Sequence, residues 1–498
     1  MYPKYFTLSF FFLILVNSTY SQCISTLISE GTSYNLAPIV DNGNIIWYAW
    51  DGETNHIYHY DGVEITAISK LYDNSSTENN YHDADDGNIV WAGKLGAENH
   101  IFYYDGASIT NISATASDNP TYNYQCKIEG NNIVWSGTTG SEQHIYLYDG
   151  IQTIKVSALD GNTSTNNLNP ILEGDKIVWY GYTGSEAHIY MYDGAEVINV
   201  SALGGLNSIY NSYPDIFGNK IVWHGNNGSE SHIFQYDGDA VTNISAQSNS
   251  IYNYYPKIDG DRVVWGGTEN GVEHIFLYDG QSVTNISILD GNVSTENINP
   301  RIDGNNVIWT GNDGTSKHTY LYDGFEVRKV SSLDGNISVD NYASDVEGNI
   351  TTWWGVADPA LPWWADTGIT QHIFVYDGSN VTNITLISSN QSVFNTIPNV
   401  DGNNVSWEGS RDGVQHIYLF NGSDITEISS LFGNTSTGNN FHKLENNQLV
   451  WVGVQNNESH IFYYDGISIT NISSSAPDNP TYNNYPEIDG SNIATLAS

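Results

Sequence analysis

Three observations predict an all-β chain built from repeated four-stranded antiparallel sheets. Ten tryptophans recur down the 498 residues, at Trp47, Trp91, Trp135, Trp179, Trp223, Trp265, Trp309, Trp353, Trp407 and Trp451. Their spacing is 44 residues, with one step of 42 and one of 54. A fixed period in this range marks stacked or ringed supersecondary units, so the repeat settles the fold class before any local reading does. Second, each unit divides into four short β-rich runs separated by turn residues. Third, no window after the N-terminus carries a sustained 3.6-residue apolar pattern, so helix should be scarce.

Unit six shows the elements in order. Tyr255-Pro256-Lys257-Ile258 reads as a short first strand, with proline at a tolerated edge or start position. Asp259-Gly260-Asp261 is a tight turn, since Asp-Gly supplies the positive φ of hairpin turns. Arg262-Val263-Val264-Trp265 is a β-branched second strand, and Gly267 to Glu273 reads as a Gly-rich, polar loop. His274-Ile275-Phe276-Leu277-Tyr278 is the third strand, Asp279-Gly280 turns the chain, and Val283-Thr284-Asn285-Ile286-Ser287 is the fourth. Four antiparallel strands per unit make the blade of a β-propeller, here ten repeats plus a partial one. A β-solenoid is the alternative, with a shorter usual period and parallel coils. Residues Pro256, Ile258, Asp259, Gly260, Trp265, Ile275, Phe276, Tyr278 and Asp279 resemble the repeat of TolB-type and WD-like secreted β-propellers, and similar elements cover essentially the whole chain after its N-terminus. That resemblance implies the fold and leaves function open, because such propellers bind, scaffold and catalyse.

Residues 1–21 have the layout of a signal peptide, with a mostly apolar run from Tyr5 to Val16 and small residues before Gln22. The run is too short for a spanning helix, which needs about 20 residues. Residues 22–498 are then propeller repeats, secreted or held at the cell surface, with no membrane insertion after signal cleavage. The formal net charge of -41 argues against nucleic acid as a partner, since that surface demands basic patches. Two cysteines, Cys23 and Cys126, could pair but cannot form a disulfide framework.

Several segments recur at an offset of about 360 residues, or eight units, such as His100–Gly106 at 460–466. An eight-blade ring with a boundary near 378–390 would explain this. A single ten-blade ring or two five-blade rings would not need it.

Ten repeat histidines invite a metal reading. Each is instead expected to be a structural hydrogen-bonding residue beside its tryptophan, bonded to a backbone group or a carboxylate, and no cofactor is expected. Oxygen-rich loops such as Asp160–Asn166 could hold calcium but lack an EF-hand ligand order.

Function is sought where the repeat breaks. Unit eight carries ten extra residues between Trp353 and His372. Trp353, Trp354, Asp358, Trp363, Trp364 and Asp366 are the candidate ligand-binding residues, because exposed aromatics on a loop face make a platform for a sugar ring or a protein partner. A hydrophobic plug over the channel is the competing reading. No catalytic residue stands out. An extracellular glycan or protein is the expected partner, with a polysaccharide-active enzyme or a structural adhesion protein as the alternatives.

Overall fold

The computed structural model describes residues 33–41, 44–50, 53–60, 65–205, 208–336, 338–356, 371–389, 392–456, 458–471, 483–489 and 492–497. Unit six folds as strands Tyr252–Asp259, Arg262–Glu269, Val272–Tyr278 and Val283–Asn285, hydrogen-bonded in that order. Each neighbouring pair is antiparallel. A short 3-10 segment, Ile286–Gly291, leads to the next unit. Eight such four-stranded sheets form. Units four and five share one eight-stranded sheet, because a single parallel pairing of Ala187 with Tyr210 joins them. A two-stranded sheet, Asn483–Asp489 with Asn492–Ala497, follows unit ten.

The strands are longer than the sequence alone suggests. Gly267 to Glu273 is not a loop: Gly267 pairs with His274, and the chain reverses at Asn270-Gly271. The glycines lie inside the strand because other side chains cross them, as described below.

Each sheet packs face to face on the next around the whole series, and the final pair packs on the first strand, Ser33–Asp41. First strands touch the first strands of their neighbours, whereas fourth strands meet chiefly the 3-10 segments of theirs. First strands therefore form the inner edge of the array. This is a β-propeller.

The core lies between sheets. One cluster joins Val264, Ile275, Leu277 and Ile286 of unit six to Val307, Trp309 and Tyr320 of unit seven. Every repeat tryptophan from Trp91 to Trp451 is fully buried. Each stacks on the aromatic residue opposite it on the third strand, as Trp309 does on Tyr320 with ring centroids 5.6 Å apart. Burying rings of this size is worth a few kcal/mol per unit and explains why every unit keeps its tryptophan.

A second set of ties runs along one rim. In most units the carboxylate before the first turn accepts the turn amide of the following unit, as Asp259 does from Gly304 (2.6 Å) and Asp303 from Gly348 (2.7 Å), while Phe217 takes this position in unit five. Arg262, Arg301 and Arg328, three of the four arginines, also reach the next unit, whereas Arg411 pairs with Glu427 of its own. Arg262 donates to the Gly304 carbonyl, and Arg328 to the Tyr376 hydroxyl of the next unit.

Candidate functional site

The repeated polar residues form the frame. An asparagine stands twelve residues before each tryptophan, and from Asn79 to Asn439 it is buried. Asn297 is representative. Its Oδ1 accepts from Trp309 Nε1 (2.9 Å) and from the Ser294 hydroxyl (2.7 Å). Its Nδ2 donates to the Ser294 carbonyl and, across the blade boundary, to the Glu273 carbonyl (2.8 Å). One amide thus fixes the tryptophan and staples two blades. The glycine two residues after the tryptophan is required by this staple. A Cβ on Gly311 would stand 2.5 Å from Asn297 Oδ1.

The histidines join the same frame through a hydroxyl, and several also face a carboxylate as expected, His318 Nε2 lying 3.1 Å from Asp313 Oδ2. His100 Nδ1 lies 3.1 Å from Ser113 Oγ, and the pairing recurs in His144–Ser157, His274–Ser287 and His318–Ser331. In unit eight, Thr385 replaces the serine. Ser113 Oγ also accepts the Ile101 amide and donates to Asn111 Oδ1, which leaves the imidazole Nδ1–H as the remaining donor. The hydroxyl comes from the 3-10 segment at the end of the same unit, thirteen residues on. Burial pushes the imidazoles of His100, His144 and His274 below the ordinary histidine range. Among the described residues, no three His, Cys, Asp or Glu side chains are close enough to share a metal ion. Asp160, in an oxygen-rich loop, accepts the Val197 amide of the next unit.

Cys126 is a free, buried thiol that donates to the Tyr81 carbonyl. Cys23 lies outside the described residues.

Two of the six candidate residues, Trp353 and Trp354, lie among the described residues. Trp353 is fully buried, donates to Asn341 (3.1 Å) and stacks on Phe374, so it is the frame tryptophan of unit eight and offers no surface. Trp354, the next residue, is half-buried and lies on Tyr342, with centroids 4.5 Å apart and planes 20° from parallel. Lys317 from unit seven places its ammonium 5.0 Å from the centre of the Tyr342 ring. Asp358, Trp363, Trp364 and Asp366 lie outside the described residues.

Trp354 belongs to a position that varies while the frame does not. The residue after each tryptophan is Tyr180, His224, Gly266, Thr310, Trp354 or Glu408 in units four to nine. Across the ladder it faces the residue after the frame asparagine: Ser212 opposite His224, Tyr254 opposite Gly266, Tyr342 opposite Trp354. The next residue on the first strand bulges out of register with positive φ, as at Tyr81 (46°), Tyr213 (52°) and Tyr255 (50°). The bulge turns that side chain out of the ladder. Tyr81, Tyr213 and Tyr255 are each about 60% exposed (59%, 61% and 61%), on strands that form the inner edge.

These tyrosines continue from unit to unit. Burial, and then neighbouring Tyr122, Tyr180 and Tyr81, raise the Tyr124 phenol above its ordinary range. Tyr213 contributes in the same way at Tyr180. Tyrosines of successive units thus lie near one another along the inner edge from Tyr81 to Tyr213. Between units five and six the wall opens into a cavity of about 340 Å³ lined by Tyr213, His224, Tyr254 and Tyr255. The sequence reading missed these tyrosines. Their signal was variation beside an invariant residue, at one and two positions after each frame asparagine.

Between units nine and ten the same layer is closed. Glu408, 5% exposed, accepts the Phe441 amide (2.8 Å) and the Gln415 side-chain amide (2.9 Å). His442 Nδ1 lies 3.6 Å from it, so this acid is sealed into packing.

No known family profile matches the chain, and no curated protein matches it. Among solved structures, the β-propeller domain of the Trilobed protease from Pyrococcus furiosus is 15% identical. That match covers 60% of this chain and 97% of that one, at a TM-score of 0.30. The tricorn protease is 15% identical over 92% of this chain and 46% of its own, at 0.25. A putative TolB from Agrobacterium tumefaciens is 18% identical over 39% of this chain and 75% of its own, at 0.24. The matched region spans less than two thirds of the full peptidase chains, 59% for the Pyrococcus horikoshii acylaminoacyl peptidase. With TM-scores this low, the fold assignment stands on the sheet topology described above.

Proposed function

We propose that the chain is a TolB-like, secreted β-propeller binding module that takes an extracellular glycan or protein ligand at the aromatic surface of unit eight. The observation that carries this reading is the Trp354–Tyr342 stack at the point where the repeat is interrupted by ten residues containing Trp363 and Trp364. Stacked, partly exposed rings offer contact area with little side-chain entropy left to lose. Pro359 and Pro362 restrict the backbone of the insertion beside them. Residues 1–21 are removed as a signal, so the mature chain begins at Gln22, which N-terminal sequencing of the exported protein checks.

A glycan array and a panel of extracellular proteins, probed with the mature chain, should return a ligand. The double variant Trp363→Ala with Trp364→Ala should weaken it about tenfold or more while leaving the thermal transition in place. Unchanged affinity would move the site away from unit eight. Degradation of a polysaccharide in a parallel assay would instead favour an enzyme. The module needs no cofactor in this reading, so a chelator should leave its melting temperature unchanged.

A further inference from the structure

We infer that the tyrosine cleft between units five and six is a second binding site, distinct from the unit-eight surface, and that it takes an alkylated ammonium group. The inference rests on reading the inner wall as a binding surface. It adds a separate location and a ligand class.

Three rings meet there at steep angles. Tyr213 and Tyr255 are 5.3 Å apart at 75°, and Tyr254 and Tyr255 are 5.7 Å apart at 79°. Perpendicular rings turn their electron-rich faces to one volume, which is an arrangement that attracts a cation. The Tyr254 ring lies flat over Gly266, where a Cβ would stand 2.5 Å from it, so the ring is held in place by its own hairpin.

The charges agree. The Tyr254 hydroxyl lies 3.5 Å from Glu273 Oε1, which places a carboxylate behind the cage. Burial, and then His232, hold the His224 imidazole below the ordinary histidine range, so it adds no competing positive charge at neutral pH. The whole chain carries a net charge of -41 and repels anions.

The repeat supplies an internal comparison. Tyr342 is the counterpart of Tyr254 in unit eight, and the Lys317 ammonium stands over its ring. Lys317 is placed by the frame, since its carbonyl accepts from Asn341. In unit six the residue with that role is Ser231, whose carbonyl accepts from Asn253. Its short side chain is turned back onto the Asn253 backbone. The chain thus supplies its own cation to one ring and leaves the other without one.

The lining also separates ligand classes. Three phenol rings and one imidazole present few hydrogen-bonding groups. A sugar would leave several hydroxyls unmatched, and a primary ammonium would leave its donors unmatched, each at a cost. An alkylated ammonium has no donors to satisfy.

The test is titration of the full mature chain with choline and with its uncharged isostere 3,3-dimethylbutan-1-ol, followed by calorimetry and by tyrosine ring resonances. Choline should bind and the isostere should bind about tenfold more weakly, as expected if the charge is recognised. Tyr255→Ala and Tyr213→Ala should each weaken choline about tenfold, while Tyr255→Phe, which keeps the ring, should stay within about threefold. The retained thermal transition of Tyr255→Phe guards against a folding artefact. Equal affinity for the isostere, unchanged binding in both alanine variants, no choline binding, or displacement of choline by a neutral oligosaccharide would each overturn the inference. Parallel titrations with a trimethyllysine peptide and with phosphatidylcholine vesicles assign the source of the group, the tighter arm identifying it. A glycan or protein ligand without ammonium binding overturns this inference alone. Ammonium binding without any such ligand overturns the unit-eight reading alone.

Discussion

Asn297→Ala is expected to destabilise the protein by about 3–5 kcal/mol, from the loss of partners for several buried polar groups at once. The side chain makes four hydrogen bonds, three of them to the buried Trp309 and Ser294 and one to the half-buried Glu273. Removal orphans Trp309 Nε1 and the Ser294 hydroxyl, and it releases the carbonyls of Ser294 and Glu273. The Glu273 carbonyl belongs to the preceding blade, so the loss also loosens the seam between units six and seven. Gly311→Ala attacks the same contact from the other side, because its Cβ would stand 2.5 Å from Asn297 Oδ1 and 2.9 Å from the Tyr320 ring. Chemical denaturation of both variants checks this. A loss below about 1 kcal/mol for Asn297→Ala would mean that water replaces the amide and that the staple is dispensable.

Acid should weaken the fold through the histidines. His372 is the clearest case, 5% exposed and pushed down to about 4 by burial. Its folded pKa lies below the unfolded value of about 6.5, so the unfolded chain takes up the proton first. The stability this group contributes is complete above about pH 6.5 and is lost as pH falls towards 4, at a total of about 3 kcal/mol. Relief of repulsion among the many carboxylates acts in the opposite direction over the same range, so total stability is the wrong readout. The comparison to make is with His372→Asn, which keeps a donor for Thr385 Oγ1 and does not titrate. Wild type should lose about 3 kcal/mol relative to this variant between pH 6.5 and pH 4. Parallel curves would show that His372 titrates normally and is not closed off by the fold.

The class of fold was legible because tryptophan spacing, Asp-Gly turns and β-branched runs all repeat together. The frame asparagine was equally periodic, from Asn35 to Asn439, yet its role was not read. A polar residue within a β-rich run looks solvated until a neighbouring blade is known to cover it. Gly267 was placed in a loop, and Gly266 left unassigned, for the same reason. Their need is set by Tyr254 and Asn253, which pass over them from the adjacent strand.

The candidate site divides along the same line. That unit eight departs from the repeat was evident from one long interval. The 44-residue step from Trp309 also marked Trp353 as the frame residue, but the stacking of Trp354 on Tyr342 was not legible, because it depends on strand register. The tyrosine cleft needed still more. Tyr213 and Tyr255 lie 42 residues apart in sequence, and each alone is an exposed residue on a bulge. They become a cage because first strands converge on the inner edge and bring equivalent positions of successive blades into contact. The sequence by itself determined the unit and its turns, which are local matters of propensity and period. Only the tertiary structure decided which variable residues share a volume, since that follows from packing between units and from no spacing within one.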